Sequence, residues 1–88
     1  MFYKYQYLIN GEYKSINKGD LVKWFLRPYK IFKIDKIYTY NGHPGCHHDR
    51  VKLIDINTEE IEDTSMIMFS SCELYSNEKW NRAIVAEI

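Results

Sequence analysis

A tight turn followed at once by a strand-like segment is the feature that most constrains this chain. The turn is Asn17-Lys18-Gly19-Asp20, and Leu21–Leu26 follows it directly. Three more strand-like segments lie further along, at Lys30–Tyr40, Val51–Ile56 and Met66–Phe69. Short strands bounded by turn residues are typical of small all-β folds. The pattern therefore predicts a mainly β protein, a small barrel of about five strands.

The chain is short enough for one domain, residues 1–88, with a small core. A domain of 88 residues buries only about 60–65% of the surface that its unfolded chain exposes. Eight tyrosines, four phenylalanines and two tryptophans supply most of the large side chains. A tyrosine ring can fill a core or, with its hydroxyl in water, line a contact surface.

Hydropathy predicts a soluble, cytoplasmic protein with no membrane partner. The first residues, Met1–Tyr7, lack the apolar run of a signal peptide. No segment approaches the ~20 apolar residues that cross a bilayer. Cys46 and Cys72 are the two cysteines, and in a reducing compartment both are expected to be free thiols.

Charge is divided unevenly along the sequence, although the formal net charge is zero. Residues 1–52 hold ten lysines and arginines against four acids, whereas residues 53–88 hold two against eight. Interleaved strands can mix these charges into an ordinary solvated surface. If they do not, the molecule is a dipole with two docking faces.

The first 27 residues predict a hairpin and then a strand. Residues 1–16 hold the hairpin, whose turn is Asn10-Gly11, because both residue types tolerate positive φ. In the strand at residues 20–27, Val22, Trp24 and Leu26 alternate onto one face.

The longest predicted strand, Lys30–Tyr40, contains a break in its alternation. The break falls at Asp35-Lys36, and a β-bulge there would return Ile37 to the core face. A helix is the alternative, with Ile31, Ile34, Ile37 and Tyr38 on one side. The β-branched and aromatic content favours the strand.

The remaining segments predict a loop, a turn and a terminal helix. Residues 41–50 contain two glycines and a proline, which indicates a loop, and residues 57–60 indicate a turn. Residues 70–75 allow a single 3₁₀ turn. Residues 77–88 predict a helix, with Asn77 as N-cap and an apolar stripe of Trp80, Ile84 and Ile88.

Residues 17–75 resemble the SH3-like small barrels in their bacterial or phage KOW and Tudor-type forms. The matching segments are Lys18–Val22, Tyr29–Ile34, Val51–Ile56 and a last strand that ends at Leu74. The resemblance implies a binding module for RNA, for ribosomal or polymerase surfaces, or for proline-rich and modified peptides. The N-terminal hairpin and the C-terminal helix lie outside it.

One segment carries metal-ligand chemistry. His43, Cys46 and His48 are candidate zinc ligands, and Cys72 is a candidate fourth ligand. No CxxC pair is present, so the alternative is a polar loop whose histidines titrate near neutral pH. The sequence thus predicts no cofactor, with zinc as a weak alternative. No nucleophile motif, phosphate loop or dinucleotide fingerprint points to an enzyme.

A basic and aromatic stretch is the candidate binding face. Lysine and arginine neutralise phosphates, and exposed rings stack on bases. The members of the stretch are Lys23, Trp24, Arg27, Tyr29, Lys30, Lys33, Lys36, Tyr38 and Tyr40. A barrel with a solvated basic edge is the alternative.

Two functions remain open at this point. The first is a non-enzymatic regulator or inhibitor that docks on a larger host protein or nucleoprotein complex. The chain is short and rich in tyrosine, and its abundant Ile, Lys and Asn indicate an AT-rich genome. These features are typical of a phage or mobile element. The second is RNA or DNA binding through the basic-aromatic face, against which zero net charge argues. The sequence narrowly favours the first, and no small-molecule substrate is expected.

Overall fold

The computed structural model describes residues 4–43 and 46–88, and for residues 41–43 and 46–48 it describes the backbone alone. These residues form one antiparallel sheet with no helix. Its eight strands are β1 (Tyr5–Ile9), β2 (Glu12–Ser15), β3 (Leu21–Trp24), β4 (Phe32–His43), β5 (Cys46–Asp55), β6 (Ile61–Ser65), β7 (Ser71–Ser76) and β8 (Lys79–Glu87). Their order across the sheet is β2-β1-β8-β7-β3-β4-β5-β6.

The prediction of an SH3-like barrel of about five strands is wrong. The sheet is open, and β2 and β6 are its two edges. The N-terminal hairpin and the C-terminal segment, both expected outside the barrel, pair with each other instead: Tyr5 lies opposite Glu87, and Leu8 lies opposite Ile84. This pairing places β1 and β2 beyond β8, so the sheet is lengthened rather than closed.

The open sheet is strongly curved. In a flat sheet β1 and β5, which are five steps apart in the order, would lie about 24 Å from each other. The Tyr5 hydroxyl nevertheless donates a hydrogen bond of 2.8 Å to Asp49 of β5. The sheet therefore has an inner face, which surrounds the core, and an outer face, which points to solvent.

The core is built by alternate residues of six strands and one turn. Trp24 packs edge to face on Phe32 and Phe69, at centroid distances of 6.5 and 6.4 Å. The buried apolar side chains are Tyr7, Val22, Trp24, Phe32, Ile34, Val51, Leu53, Met66, Phe69, Cys72, Leu74, Ala83 and Val85.

The turns at residues 10–11 and 17–20 are present as predicted. Asn10 and Gly11 have φ values of 51° and 81°, which suit a two-residue hairpin. In the second turn, Asp20 N donates to Asn17 O at 3.1 Å. The Asp20 carboxylate accepts the Asn17 amide and the buried Tyr7 hydroxyl, both at 2.8 Å. The second turn is therefore fastened to β1.

The predicted helix at residues 77–88 is wrong, because this segment is a turn and a strand. Asn77 and Glu78 have φ values of 56° and 65° and close a hairpin between β7 and β8. The spacing that predicted a helix fits a strand equally well, since residues four apart share a face in both structures. Trp80 and Ile84 lie on the outer face, and Ala83 and Val85 point into the core.

The predicted bulge in the longest strand is confirmed. The β4–β5 register shifts between Ile34 and Lys36, and Ile37 packs against the core. The strand interpretation of this segment is thereby correct, and the helical alternative is wrong. The loop expected at residues 41–50 is wrong as well: β4 extends to His43, and β5 starts at Cys46. Residues 44–45 lie outside the described residues.

The segment Met66–Phe69 is a turn rather than the predicted strand, and β6 and β7 lie on either side of it. Met66 and Phe69 are buried, while Ile67 and Met68 are exposed. A spacing of three between buried residues matches a turn better than the period of two in a strand. β7 occupies Ser71–Ser76, where a 3₁₀ turn was allowed. Leu26, expected beside Val22 and Trp24, is exposed in the turn after β3.

Polar side chains join β1 to β5 where the curved sheet brings them together. Asp49 accepts hydrogen bonds from Tyr5 and from Thr39, both at 2.8 Å, and its carboxylate lies 3.0 Å from the Lys4 ammonium. The Lys4 contact is the main reason that the pKa of Asp49 is below its ordinary value, and the two hydroxyls act in the same direction.

Lowering the pH is expected to weaken this contact. Because the pKa of Asp49 is lower in the folded protein, the carboxylate stabilises the fold fully above the unfolded pKa, about 3.9. That stability is lost as the pH falls through the folded pKa. Urea unfolding between about pH 5 and pH 2 should show a decreasing free energy of unfolding, and Asp49→Asn should reduce the slope. A variant with the full wild-type slope would contradict the prediction.

Candidate binding face

The outer face of the sheet is rich in positive charge. We define it by the strand residues that alternate with the core residues. Its cations are Lys23, Lys33, Lys36, Arg50, Lys52 and Arg82. Its carboxylates, among the described residues, are Asp63 and Glu73, together with the bulge residue Asp35 if that side chain is counted. Six cations thus stand against two or three acids.

Five of the nine predicted binding residues lie on this outer face: Lys23, Lys33, Lys36, Tyr38 and Tyr40. They come from two neighbouring strands, β3 and β4, whose side chains alternate with Val22, Phe32 and Ile34 of the core. The alternation that identified the strands therefore also places these side chains together.

Trp24 does not belong to this face. Only 3% of its surface is exposed, and its indole N–H donates to the Met68 carbonyl at 3.0 Å. The remaining three predicted residues follow Trp24 in the turn region between β3 and β4. Arg27 lies 3.5 Å from Glu62, Lys30 lies 3.8 Å from the buried Asp55, and Tyr29 is 98% exposed.

A compact cluster surrounds Tyr38 on β4. The Lys36 and Lys52 ammonium groups lie 5.2 and 5.7 Å from the centre of its ring. The Tyr38 hydroxyl donates to Asp63, which also accepts a 2.7 Å hydrogen bond from Arg50. Burial opposes ionisation of Asp63, but these hydrogen bonds hold its pKa below the ordinary value. Asp63 is therefore a structural carboxylate that fixes Tyr38 and Arg50 in place.

Lys36 and Lys52 lie directly opposite each other on β4 and β5. Like charges in this position destabilise a sheet. Asp63 is cross-strand from Lys52 and offsets part of the repulsion, yet its hydrogen bonds go to Tyr38 and Arg50. The two ammonium groups therefore make a place where a bound anion would relieve an existing repulsion.

A second cluster lies on β3, β7 and β8. The Lys23 ammonium lies 4.4 Å from the centre of the Trp80 ring, and Tyr75 packs edge to face on Trp80 at 5.2 Å. Trp80 is half-buried and Tyr75 is exposed. This cluster joins a residue from the first half of the sequence with two from the last fifteen.

Sequence reasoning missed Arg50, Lys52, Tyr75, Trp80 and Arg82. The helical interpretation assigned Trp80 to a packing stripe, and the loop interpretation removed Arg50 from the sheet. The alternation of Trp80, Arg82 and Ile84 with Asn81, Ala83 and Val85 is the signal that could have found the last strand and its outward residues.

The basic first part and the acidic last part of the sequence do not form two opposite faces of the molecule. β7 and β8, from the acidic part, lie between the basic strand β3 and β1. Glu73 stands between Lys23 and Arg82 across the sheet. Of the other acids of the last part, Glu59, Glu60 and Glu78 lie between strands, and the rest lie on β5, β6 and β8.

The candidate metal ligands are not assembled among the described residues. The side chains of His43, Cys46 and His48 lie outside the part that the structure describes. Within that part, no group of three or more histidine, cysteine or carboxylate side chains could hold a metal ion. Cys72 is buried on the inner face, and burial raises the pKa of its thiol to about 12. A thiol in this state is a poor metal ligand and a poor nucleophile.

Comparisons of the chain with family models, curated proteins and solved structures gave no match. The described residues include no helix that could cross a membrane.

Proposed function

We propose that this protein is a non-enzymatic binding protein whose outer face binds nucleic acid. The observation that supports the proposal most is the distribution of charge: six cations of four different strands share one exposed face with two or three carboxylates. The sequence narrowly favoured a regulator that docks on a host protein, because it could not show that these cations lie on one face.

The zero net charge of the chain is compatible with this proposal, because the positive and negative charges are distributed unevenly in the structure. Binding depends on the local potential at the contact surface, because charges more than about 8–10 Å away are screened at physiological salt. Most acids lie in turns or on the inner side of the sheet. The outer face alone has a net positive charge, and this local excess provides the electrostatic attraction.

The cations also have the spacing of an extended contact surface. Lys33, Lys36 and Lys52 lie on adjacent strands, and Lys23 and Arg82 lie on the strands beyond. Neighbouring strands are about 4.8 Å apart, and alternate residues along a strand are about 6.6 Å apart. A backbone of regularly spaced phosphates can meet several of these side chains at once.

Salt dependence tests this proposal. The probe is a fluorescein-labelled 15-residue oligothymidylate, and binding is measured by fluorescence anisotropy at several salt concentrations. Four to six phosphate contacts would give a slope of about −3 to −4 in log K against log salt, so affinity should fall about 50- to 300-fold between 0.05 and 0.2 M. The proposal would be refuted if neither this probe, nor a 15-residue oligouridylate, nor the duplex of the probe with oligoadenylate bound at 0.05 M salt.

A protein partner is the second candidate function, and one observation favours it. Two adjacent turns expose large apolar side chains: Phe25, Leu26 and Tyr29 in one, and Ile67 and Met68 in the other. The turns are joined by the Trp24 indole bond to Met68 O. Exposed apolar groups that lie together are typical of protein contact sites.

The same salt series separates the two candidates. A host protein held by apolar side chains of these turns would remain bound at salt concentrations that release the oligonucleotide. Ile67→Asp should then remove the protein partner and leave the oligonucleotide affinity unchanged, because Ile67 lies in a turn outside the outer face.

A further inference from the structure

The outer face presents aromatic rings as well as positive charge, and the two are in contact. Lys23 lies over Trp80, and Lys36 and Lys52 lie over Tyr38. Tyr75 packs against Trp80 and remains exposed. Each ring group thus has a cation beside it, which can pair with a phosphate while the ring meets a base.

From this arrangement we infer that the nucleic acid bound by the outer face is single-stranded. The inference rests on the proposed function. Rings contribute by stacking on unpaired bases, and such stacking is independent of the base identity because every base has a flat face. A duplex keeps its bases stacked on one another and would use only the cations. The preference for single strands is therefore carried by Trp80, Tyr75 and Tyr38.

The distance between the ring groups fits a strand of several nucleotides. Tyr75 on β7 and Tyr38 on β4 are two strand steps apart across the sheet. Along the strand direction, Tyr75 lies level with Leu21 of β3, and Leu21 pairs with Lys33 of β4. Tyr38 is five residues after Lys33, so the two ring groups are about five residues apart in this direction. At about 4.8 Å per strand and 3.3 Å per residue, the two groups lie about 15–20 Å apart. Lys33 and Lys36 lie between them.

The shape of the face is less suited to duplex reading. The major groove of DNA admits a helix or a two-stranded ribbon, and the described outer face is a broad surface of several strands without a helix. Sequence reading through base edges is not expected either, because stacking on the rings does not depend on the identity of the base. The predicted ligand is single-stranded RNA or DNA of mixed sequence.

The test compares a single strand with its duplex at the same salt. Fluorescein-labelled oligothymidylate of 15 residues is measured alone and annealed to oligoadenylate, for the wild type and for Trp80→Ala and Tyr38→Ala. The single strand should bind at least about tenfold more tightly, and each ring variant should lose about 5- to 150-fold for the single strand with little change for the duplex. Tyr29→Ala, which removes a fully exposed ring in a turn, is the matched control and should change neither affinity.

Each outcome decides between the two proposals. Equal or tighter binding of the duplex would overturn the single-strand inference and leave nucleic-acid binding intact. Failure of both probes to bind at 0.05 M salt would overturn the proposed function itself. Far-ultraviolet circular dichroism establishes that each variant is folded, and Tyr75→Ala replaces Trp80→Ala if the latter is not. Ring variants that bind the single strand as tightly as the wild type would also overturn the inference.

Discussion

Replacing Lys36 and Lys52 together with alanine is expected to lower oligonucleotide affinity about sixtyfold at 0.05 M salt. The two ammonium groups lie opposite each other beside the Tyr38 ring, so both can reach neighbouring phosphates. Removing two contacts from a single strand reduces the slope of log K against log salt by about 1.4, and the loss should shrink to about tenfold at 0.2 M. Anisotropy titrations at both salt concentrations measure the change.

The matched control for this variant is Lys14→Ala with Lys18→Ala. It removes the same net charge from positions outside the outer face, on β2 and in the turn at residues 17–20. Equal losses in the two double variants would mean that only total charge matters, and the assignment of the face would be wrong. The Lys36 and Lys52 variant should also be at least as stable as the wild type, since a like-charge pair has been removed.

Replacing Trp24 with alanine is expected to destabilise the fold by about 3–5 kcal/mol, the usual range for a fully buried tryptophan. Trp24 contacts Phe32 and Phe69 and donates to Met68 O, so its removal leaves a cavity where β3 meets the turn at residues 66–69. A domain of this size has about 5–15 kcal/mol in total. Trp80→Ala, in contrast, should cost about 1 kcal/mol or less because its ring is half-buried on the outer face.

Urea unfolding followed by circular dichroism distinguishes the two tryptophans. If Trp24→Ala is unfolded, Trp24→Phe provides the measurement: it keeps a ring and loses the hydrogen bond to Met68 O, with an expected cost of about 1–2 kcal/mol. A Trp24 variant that is as stable as the Trp80 variant, but has lost oligonucleotide binding, would contradict the core assignment and restore the sequence-based prediction.

The local structure of the first 40 residues could be predicted because short-range chemistry determines it. Asn10-Gly11 and Gly19 adopt positive φ, and few other residues do so without cost. The bulge was visible because a side chain at Ile37 had to return to the core. After residue 40, the pattern of apolar residues was ambiguous. Trp80, Ile84 and Ile88 repeat every four residues, and this spacing is compatible with both a helix and a strand.

The order of the strands could not be predicted from the sequence. Whether the sheet closes depends on which strands pair at its ends, and β1 pairs with β8 across nearly the whole chain. No local signal records such a pairing. For the same reason, the sequence identified five residues of the proposed binding face on β3 and β4, which are neighbours in the sequence. It missed Trp80 and Arg82, because pairing through β7 brings them to this face.

The two free edges of the sheet give this chain a route to uncontrolled self-assembly. Copies joined from the β2 edge of one to the β6 edge of the next would form a continuous filament, since such a contact is not self-limiting. The edges are only four and five residues long, and both carry ionised side chains, Glu12 and Lys14 on one and Glu62 and Asp63 on the other. Charged side chains on an edge strand oppose pairing with another edge, so removing them is expected to promote fibre growth in concentrated solutions.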